Sequence, residues 1–89
     1  MEGTRKNITG REIHRFRQLR NLTQEELAAS LQVHGYDMSR VTLAKIESGI
    51  RCVTDLEVVV IAKVLGCTPN DLLSESFSDC LKLLSSSAD

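Results

Sequence analysis

Two segments decide the fold of this chain: Leu22-Thr-Gln-Glu-Glu-Leu-Ala28 and, further on, Ser39-Arg-Val-Thr-Leu-Ala-Lys-Ile-Glu-Ser-Gly49. Each begins with a hydroxyl side chain that can cap a helix and continues with apolar residues at helical spacing. Thr23 and Glu26 fit a capping box, in which each side chain accepts a hydrogen bond from the other residue's backbone N–H. Gly49 closes the second segment, because glycine adopts a left-handed cap conformation without strain. The two segments therefore predict two consecutive helices.

Similar signals elsewhere predict three more helices. Capping boxes begin at Thr9, Thr54 and Thr68, the last with proline at the first helical position. The predicted helix ends are marked by residues that tolerate the left-handed conformation, namely Asn21, Gly35, Gly49 and Gly66. The predicted core stripes are Ile13, Phe16 and Leu19/Arg20; Leu27, Ala28 and Leu31; Leu43 and Ile46; and Leu56, Val59/Val60, Ala62/Lys63 and Leu65. We therefore expect a compact all-α domain of five helices starting at Thr9, Thr23, Ser39, Thr54 and Thr68.

The two ends of the chain differ in composition from this helical region. Residues 1–8 are expected to form a flexible basic arm, and residues 9–73 to form the domain. Residues 74–89 are rich in serine, yet an apolar stripe at helical spacing runs through Phe77, Cys80, Leu81 and Leu84. This segment is interpreted as a sixth C-terminal helix that covers the core, as a dimerisation helix, or as a frayed tail.

Composition limits the class of protein. A length of 89 residues fits one small domain, and 42% hydrophobic with only 3% aromatic residues favours an aliphatic helix bundle. The net charge is −1, but residues 1–51 hold nine basic and six acidic side chains, whereas residues 52–89 hold two and six. A basic half can face phosphate groups, although ordinary scatter of surface charge explains the same numbers. No membrane span or signal peptide is evident, so a cytoplasmic location is expected.

Cysteine and histidine spacing indicates no metal site. The three cysteines, Cys52, Cys67 and Cys80, lie far apart, and together with His14 and His34 they match no zinc pattern. They are interpreted as small hydrophobic residues. No arrangement typical of a catalytic triad, a carboxylate pair or a phosphate-binding glycine loop is present. We therefore expect no enzymatic activity, no cofactor and no small-molecule ligand.

Four motifs in order resemble one family: Leu22–Ala28, Ser39–Gly49, Ala62-Lys-Val-Leu-Gly66 and Asp71-Leu-Leu73. They are similar to Cro/C1-type helix-turn-helix domains, the xenobiotic-response-element family, which occur in lambdoid phage repressors and many small bacterial regulators. The resemblance covers about residues 9–73. It implies a lambda-repressor-like fold, a bacterial or phage origin, and a second helix that crosses the DNA backbone while the third lies in the major groove.

The resemblance also implies where DNA would be contacted. Because Leu43 and Ile46 must face the core, the other side of the third helix is expected to meet DNA bases. The expected base contacts are Arg40, Val41, Ala44 and Lys45, and the expected phosphate contacts are Gln24, Ser39, Thr42, Arg51 and Arg17. Arginine suits guanine, and small apolar side chains suit the thymine methyl group. A plain amphipathic helix with two solvated cations is the alternative interpretation.

Structural support for the third helix is expected from Glu47 and Gly49. Family members commonly pair a glutamate at the position of Glu47 with an arginine of the first helix, here Arg17. One departure concerns Ser39, which lies five residues further from Leu31 than the family turn places it. The extra stretch, which includes His34 and Tyr36, is expected to extend the second helix by a turn and to lengthen the connection. These two side chains either pack under the connection or add a phosphate contact.

The preferred function is sequence-specific binding of double-stranded DNA by a small transcriptional regulator, a repressor on an inverted-repeat operator. A homodimer is expected, formed by the fifth helix and the tail through Leu72, Leu73, Phe77, Leu81 and Leu84. The alternative is a protein-interaction module or antitoxin of the same fold with weak or no DNA binding, which the near-neutral charge favours.

Overall fold

The structure is a computed structural model that describes residues 5–74, and five α-helices account for most of this range. They are α1 (Gly10–Leu19), α2 (Gln24–Val33), α3 (Arg40–Ser48), α4 (Asp55–Leu65) and α5 (Pro69–Leu72). Residues 5–74 contain no strand, so the predicted all-α fold with five helices is confirmed. None of the helices in this range is both long and apolar enough to span a bilayer. Of the predicted sixth helix or tail, residues 74–89, all but Ser74 lie outside the described residues, as do residues 1–4.

Four of the five predicted helix starts are confirmed by their caps. The residues that form complete capping boxes are Thr23, Thr54 and Thr68. Ser39 caps α3, because its Oγ accepts a hydrogen bond from the Thr42 N–H at 3.1 Å. The predicted helix ends are also confirmed, since φ is positive at Asn21, Gly35, Gly49 and Gly66.

The fifth predicted start is also confirmed, since Thr9 directly precedes α1, but the capping box predicted there is wrong. The backbone of Thr9 is itself helical, with φ −83° and ψ −22°, and its hydroxyl makes no capping hydrogen bond. Asn7 caps α1 instead, since its Oδ1 accepts from the Gly10 N–H at 2.7 Å. Gly10 lies so close to α3 that an added Cβ would collide with the Ile46 carbonyl oxygen. The start of α1 therefore lies where the sequence predicts it, but the capping side chain comes from Asn7, two residues before Thr9.

A single apolar core lies between the helices, with α3 packed on α1 and α2, and α4 packed on α1, α2 and α5. The largest fully buried side chains are Ile13, Leu27, Leu31, Leu43, Ile46, Ile61, Leu65 and Leu72. The stripe predicted for α4 is partly wrong, because Val58 faces the core while Leu56 and Val59 are 58% and 51% exposed. The run Val58-Val-Val-Ile61 is apolar on every side, so its sequence does not show which face is buried.

The connection between α2 and α3 is anchored to the core. The helix α2 ends at Val33, so most of the extra stretch forms the connection of residues 34–39. Tyr36 is half-buried against the core and its N–H donates to the Leu31 carbonyl at 2.9 Å, while Met38 is only 5% exposed. His34 is exposed, with Nδ1 2.9 Å from the Ser30 carbonyl oxygen. Of the two side chains, Tyr36 is thus the one that packs under the connection.

The N-terminal segment is also held in place. The sequence predicts a flexible arm over residues 1–8, but its described part, residues 5–8, is bound to the end of α3. The Lys6 N–H donates to the Gly49 carbonyl at 2.8 Å, and Asn7 Nδ2 donates to the Ile46 carbonyl at 3.0 Å. Carbonyls at a helix C-terminus lack partners within the helix, and these donors supply them.

Candidate nucleic-acid interface

The outer side of α3 presents the predicted base-contacting residues. They are Arg40 and Lys45, which are exposed, Val41, which is 53% exposed, and Ala44, which is half-buried. The opposite side of the helix is fixed, because Leu43 and Ile46 are fully buried. Ser39 and Thr42 lie at the N-terminus of α3, where the Ser39 Oγ donates to the Thr42 Oγ1 at 3.1 Å. The burial of one side thus aims the cations of α3 toward solvent.

The carboxylate of Glu47 joins α3 to α1. Its side chain is only 5% exposed, and Arg17 binds both oxygens, with Nε 2.8 Å from Oε2 and Nη2 3.0 Å from Oε1. Burial raises the pKa of the Glu47 carboxyl, but hydrogen bonds from Arg17, His14 and Gln24 outweigh it and hold that pKa below its ordinary value. The predicted Arg17–Glu47 pair is therefore confirmed as a charged, buried contact.

Further hydrogen bonds bring α2 to the same carboxylate. Gln24 Nε2 donates to Glu47 Oε1 at 3.2 Å, and Arg17 Nη1 donates to the Leu22 carbonyl just before α2 at 2.7 Å. His14 Nδ1 lies 3.0 Å from the same Oε1, a contact that the sequence analysis missed. Its one sequence signal is that it precedes Arg17 by three residues, which places both on one side of α1. Three helices thus meet at one charged group.

Arg5 covers the C-terminal end of α3. Its Nη2 donates to the Glu47 carbonyl at 3.0 Å, and an added Cβ on Gly49 would lie 2.7 Å from the Arg5 Cζ. A cation at a helix C-terminus is favourable because it faces the negative end of the helix dipole. Gly49 also has φ +84°, which a side chain would strain. Gly49 therefore serves both the turn and the close approach of Arg5.

A second buried carboxylate, Glu57, joins α4 to the connection before α3. It is 2% exposed and accepts hydrogen bonds from Arg51 at 2.9 Å on each oxygen and from the Tyr36 hydroxyl at 3.0 Å. The Arg51 hydrogen bonds are the main reason that the pKa of Glu57 is lowered to about 2, although burial raises it. The same carboxylate raises the pKa of the Tyr36 phenol, chiefly through the hydrogen bond that it accepts. The sequence signalled only the capping role of Glu57.

Three of the predicted phosphate contacts are side chains that already bind carboxylates of the protein. Arg17 and Gln24 bind Glu47, and Arg51 binds Glu57. Contacts of these three side chains with phosphate stay predictions, and they require donors that the carboxylates leave unused. Among residues 5–74, no group of His, Cys, Asp and Glu side chains is arranged to hold a metal ion.

Comparison with known proteins identifies this arrangement. The family described as Helix-turn-helix matches residues 13–72, more than half of the chain, from within α1 to the end of α5. Neither the curated proteins nor the solved structures give a significant match. The matched range includes the residues of α1, α2 and α3 that meet at Glu47, and it includes the outer face of α3. The chain therefore belongs to the helix-turn-helix family of the Cro/C1 (XRE) type, a family of DNA-binding transcription regulators.

Proposed function

We propose that this protein is a repressor that binds a specific inverted-repeat operator as a homodimer, with α3 in the major groove. The observation that carries the proposal is the exposed side of α3, which presents Arg40, Val41 and Lys45 while the other side is locked in the core. A helix held in this way can place its side chains against base edges with little loss of backbone conformational entropy on binding.

The exposed side chains suit base recognition. Arg40 is at the start of α3 and can donate two hydrogen bonds to O6 and N7 of guanine, the commonest specific contact in the major groove. Val41 is an apolar side chain of a size that fits the thymine methyl group. Lys45 lies one turn beyond Val41 and can reach a second base or the backbone. Loss of a good base contact costs about 1–3 kcal/mol of discrimination.

Phosphate contacts are proposed around the N-termini of α2 and α3. Gln24 begins α2, and Ser39 and Thr42 surround the start of α3, where backbone N–H groups and the helix dipole attract anions. Residues 5–74 carry ten basic and eight acidic side chains, a difference of +2, so the described part of the chain is more basic than the whole. Arg17 and Arg51 are proposed to contact phosphate through donors not used by Glu47 and Glu57.

A homodimer is proposed because one α3 reads only a few base pairs, whereas two related by a two-fold axis read an inverted repeat. Leu72 is fully buried in the core, so the expected dimer contact by this residue is wrong. Leu73 is 47% exposed and remains a candidate. The other residues expected at the dimer contact, Phe77, Leu81 and Leu84, lie outside the described residues. Occupancy of an operator is sufficient to block transcription.

Selection of bound duplexes from a random pool tests the proposal. We expect a two-fold symmetric sequence whose half-site spacing reports the distance between the two copies of α3. Arg40→Ala should relax the preference at one position of each half-site. Lys63→Ala, which removes an exposed cation of α4, is the matched control and should leave the selected sequence unchanged. Recovery of no preferred sequence, or of an asymmetric one, contradicts the proposal.

One observation favours a second function, a protein-interaction module or antitoxin. The net charge is −1, and the predicted phosphate ligands Arg17, Gln24 and Arg51 already bind carboxylates. Salt dependence separates the two functions. If the protein binds DNA through several phosphates, the logarithm of its binding constant should fall linearly with the logarithm of salt concentration. The slope should be about −0.9 per phosphate contact. Binding that is absent for every duplex, or independent of salt, supports the interaction module.

A further inference from the structure

A groove of about 420 Å³ lies between the N-terminal segment, the start of α4 and the end of α5. The apolar and small side chains that line it include Ile8, Thr9, Val53, Val58, Val59 and Leu73. None of them is among the predicted DNA contacts. The groove thus shares none of these residues with the proposed DNA-binding surface. Its volume is sufficient for one or two large side chains.

The exposure of its lining indicates that residues 5–74 leave the groove unfilled. Val59 and Leu73 leave 51% and 47% of their surface exposed, and both line the groove, so the exposed apolar area is contiguous rather than scattered.

The position of Leu73 points to the chain's own next residues as the occupant. The described chain ends at Ser74, directly after this groove residue, and Phe77 follows Leu73 by four residues. Four residues span at most about 14 Å, so Phe77 cannot lie far from the groove. A tether this short gives an effective concentration in the millimolar range, which a separate molecule rarely matches.

We propose that the aromatic ring of Phe77 fills this groove in its own protomer. The apolar residues Phe77, Leu81 and Leu84 recur at helical spacing, so a helix that seats Phe77 directs the following leucines along the same face. The ring covers Val59 and Leu73 and completes the core on the side of α4 and α5. This inference does not rest on DNA binding. It assigns Leu73 and Phe77 to the core of one protomer, so it competes with the dimer contact considered above for these two residues.

Proton NMR of the full chain with labelled methyl groups tests the proposal. We expect nuclear Overhauser contacts between an aromatic ring and the methyl groups of Val59 and Leu73. Phe77→Ala should abolish them, which distinguishes this ring from that of Phe16. Leu83→Ala, a change off the apolar stripe, is the matched control and should preserve them. The methyl groups of Val33, which is 84% exposed on α2, should keep their chemical shifts in every variant.

A second copy of the chain is the competing occupant, and mixed labelling distinguishes it. One sample combines protein carrying labelled methyl groups with protein carrying unlabelled methyl groups and protonated phenylalanine. Contacts that are seen in uniformly prepared protein but vanish under an intermolecular filter support the proposal. Contacts that survive the filter show that Phe77 enters another protomer, and they overturn it. Absence of any contact from the ring to Val59 and Leu73 also overturns it.

Discussion

Glu47 and Glu57 are both buried carboxylates held by an arginine, but they join different parts of the molecule. Glu47 is thirty residues from Arg17, and the pair ties the C-terminal half of α3 to α1 and α2. Glu57 is six residues from Arg51 and twenty-one from Tyr36, and it ties the connection before α3 to α4. The C-terminal half of α3 is thus held by contacts with α1 and α2, and the connection before α3 is held by a contact with α4.

The difference predicts unequal consequences when the two networks are broken. The Glu47 network is the contact through which α1, α2 and α3 share one charged group, so its loss leaves only the apolar core and the Arg5 and Asn7 hydrogen bonds to hold α3 in place. The Glu57 network retains the Thr54 capping box when Tyr36 is altered, since Glu57 Oε1 accepts from the Thr54 N–H at 3.0 Å. Distant contacts fix the relative positions of helices, whereas local contacts mainly define where a helix begins.

The largest effect is expected from Arg17→Ala. It leaves the Glu47 carboxylate, whose side chain is 5% exposed, without its charged partner, so the unfolding free energy should fall by about 3 kcal/mol. DNA affinity should fall as well, because α3 is no longer fixed against α1. Urea denaturation and a binding titration measure both effects.

Arg15→Ala is the control and should lower the unfolding free energy by less than about 0.5 kcal/mol, because Arg15 pairs with Glu12 at the surface. If the Arg17→Ala protein has the same stability and DNA affinity as the parent, the Glu47 network does not hold α3 in place.

The next effect concerns Glu57→Gln and pH. The pKa of Glu57 is about 2 in the folded protein and 4.5 ordinarily, so the unfolded chain binds the proton more tightly. The stability from this group is therefore present above pH 4.5 and is lost as pH falls toward 2. We expect Glu57→Gln to lower the unfolding free energy by about 2 kcal/mol near pH 7. The difference between the variant and the parent should shrink as pH falls from 4.5 toward 2. Denaturation curves at several pH values measure it, with Glu25→Gln on the exposed side of α2 as the control. A difference that does not depend on pH shows that the pairing with Arg51 is not its cause.

A smaller effect compares two glycines with similar backbone conformations. Gly35 has φ +89° with no atom near an added Cβ, whereas Gly49 has φ +84° and lies against Arg5. Gly35→Ala therefore reports only the backbone strain, about 1 kcal/mol. Gly49→Ala should cost about 1 kcal/mol more, because Arg5 must move from the end of α3. Thermal denaturation compares the two. Equal losses show that the contact of Arg5 with α3 contributes little to stability.

The smallest effect is expected from Tyr36→Phe. This change removes one hydrogen bond to Glu57 and leaves the ring packed, so the unfolding free energy should fall by about 0.5–1 kcal/mol. DNA affinity should change by less than about threefold, since Met38 and Ser39 still define the entry to α3. Denaturation and binding measurements on the same preparation check both. A loss as large as that of Arg17→Ala means that the connection, rather than the Glu47 network, dominates the position of α3.

The contrast between the networks also explains which expectations succeeded. Four caps and all four left-handed helix ends were predictable, because these features depend on residues within a few positions of one another. The Arg17–Glu47 pair was anticipated through a family resemblance rather than from spacing. The contact of His14 with Glu47, the hydrogen bond of the Tyr36 hydroxyl to Glu57 and the contact of Arg5 with α3 were not anticipated, since each joins residues far apart in the chain. No local pattern encodes such contacts.

Local sequence signals are sufficient to predict the starts and ends of the helices, an aliphatic core, and the burial of Leu43 and Ile46 by α3. The remaining features depend on how the helices pack against one another. Tertiary structure selected Val58 over Leu56 and Val59 as the buried side of an apolar run, and it replaced the Thr9 cap by Asn7. The physical reason is the same in both cases: helix signals act over three or four residues, whereas the choice of face depends on which neighbour packs against it.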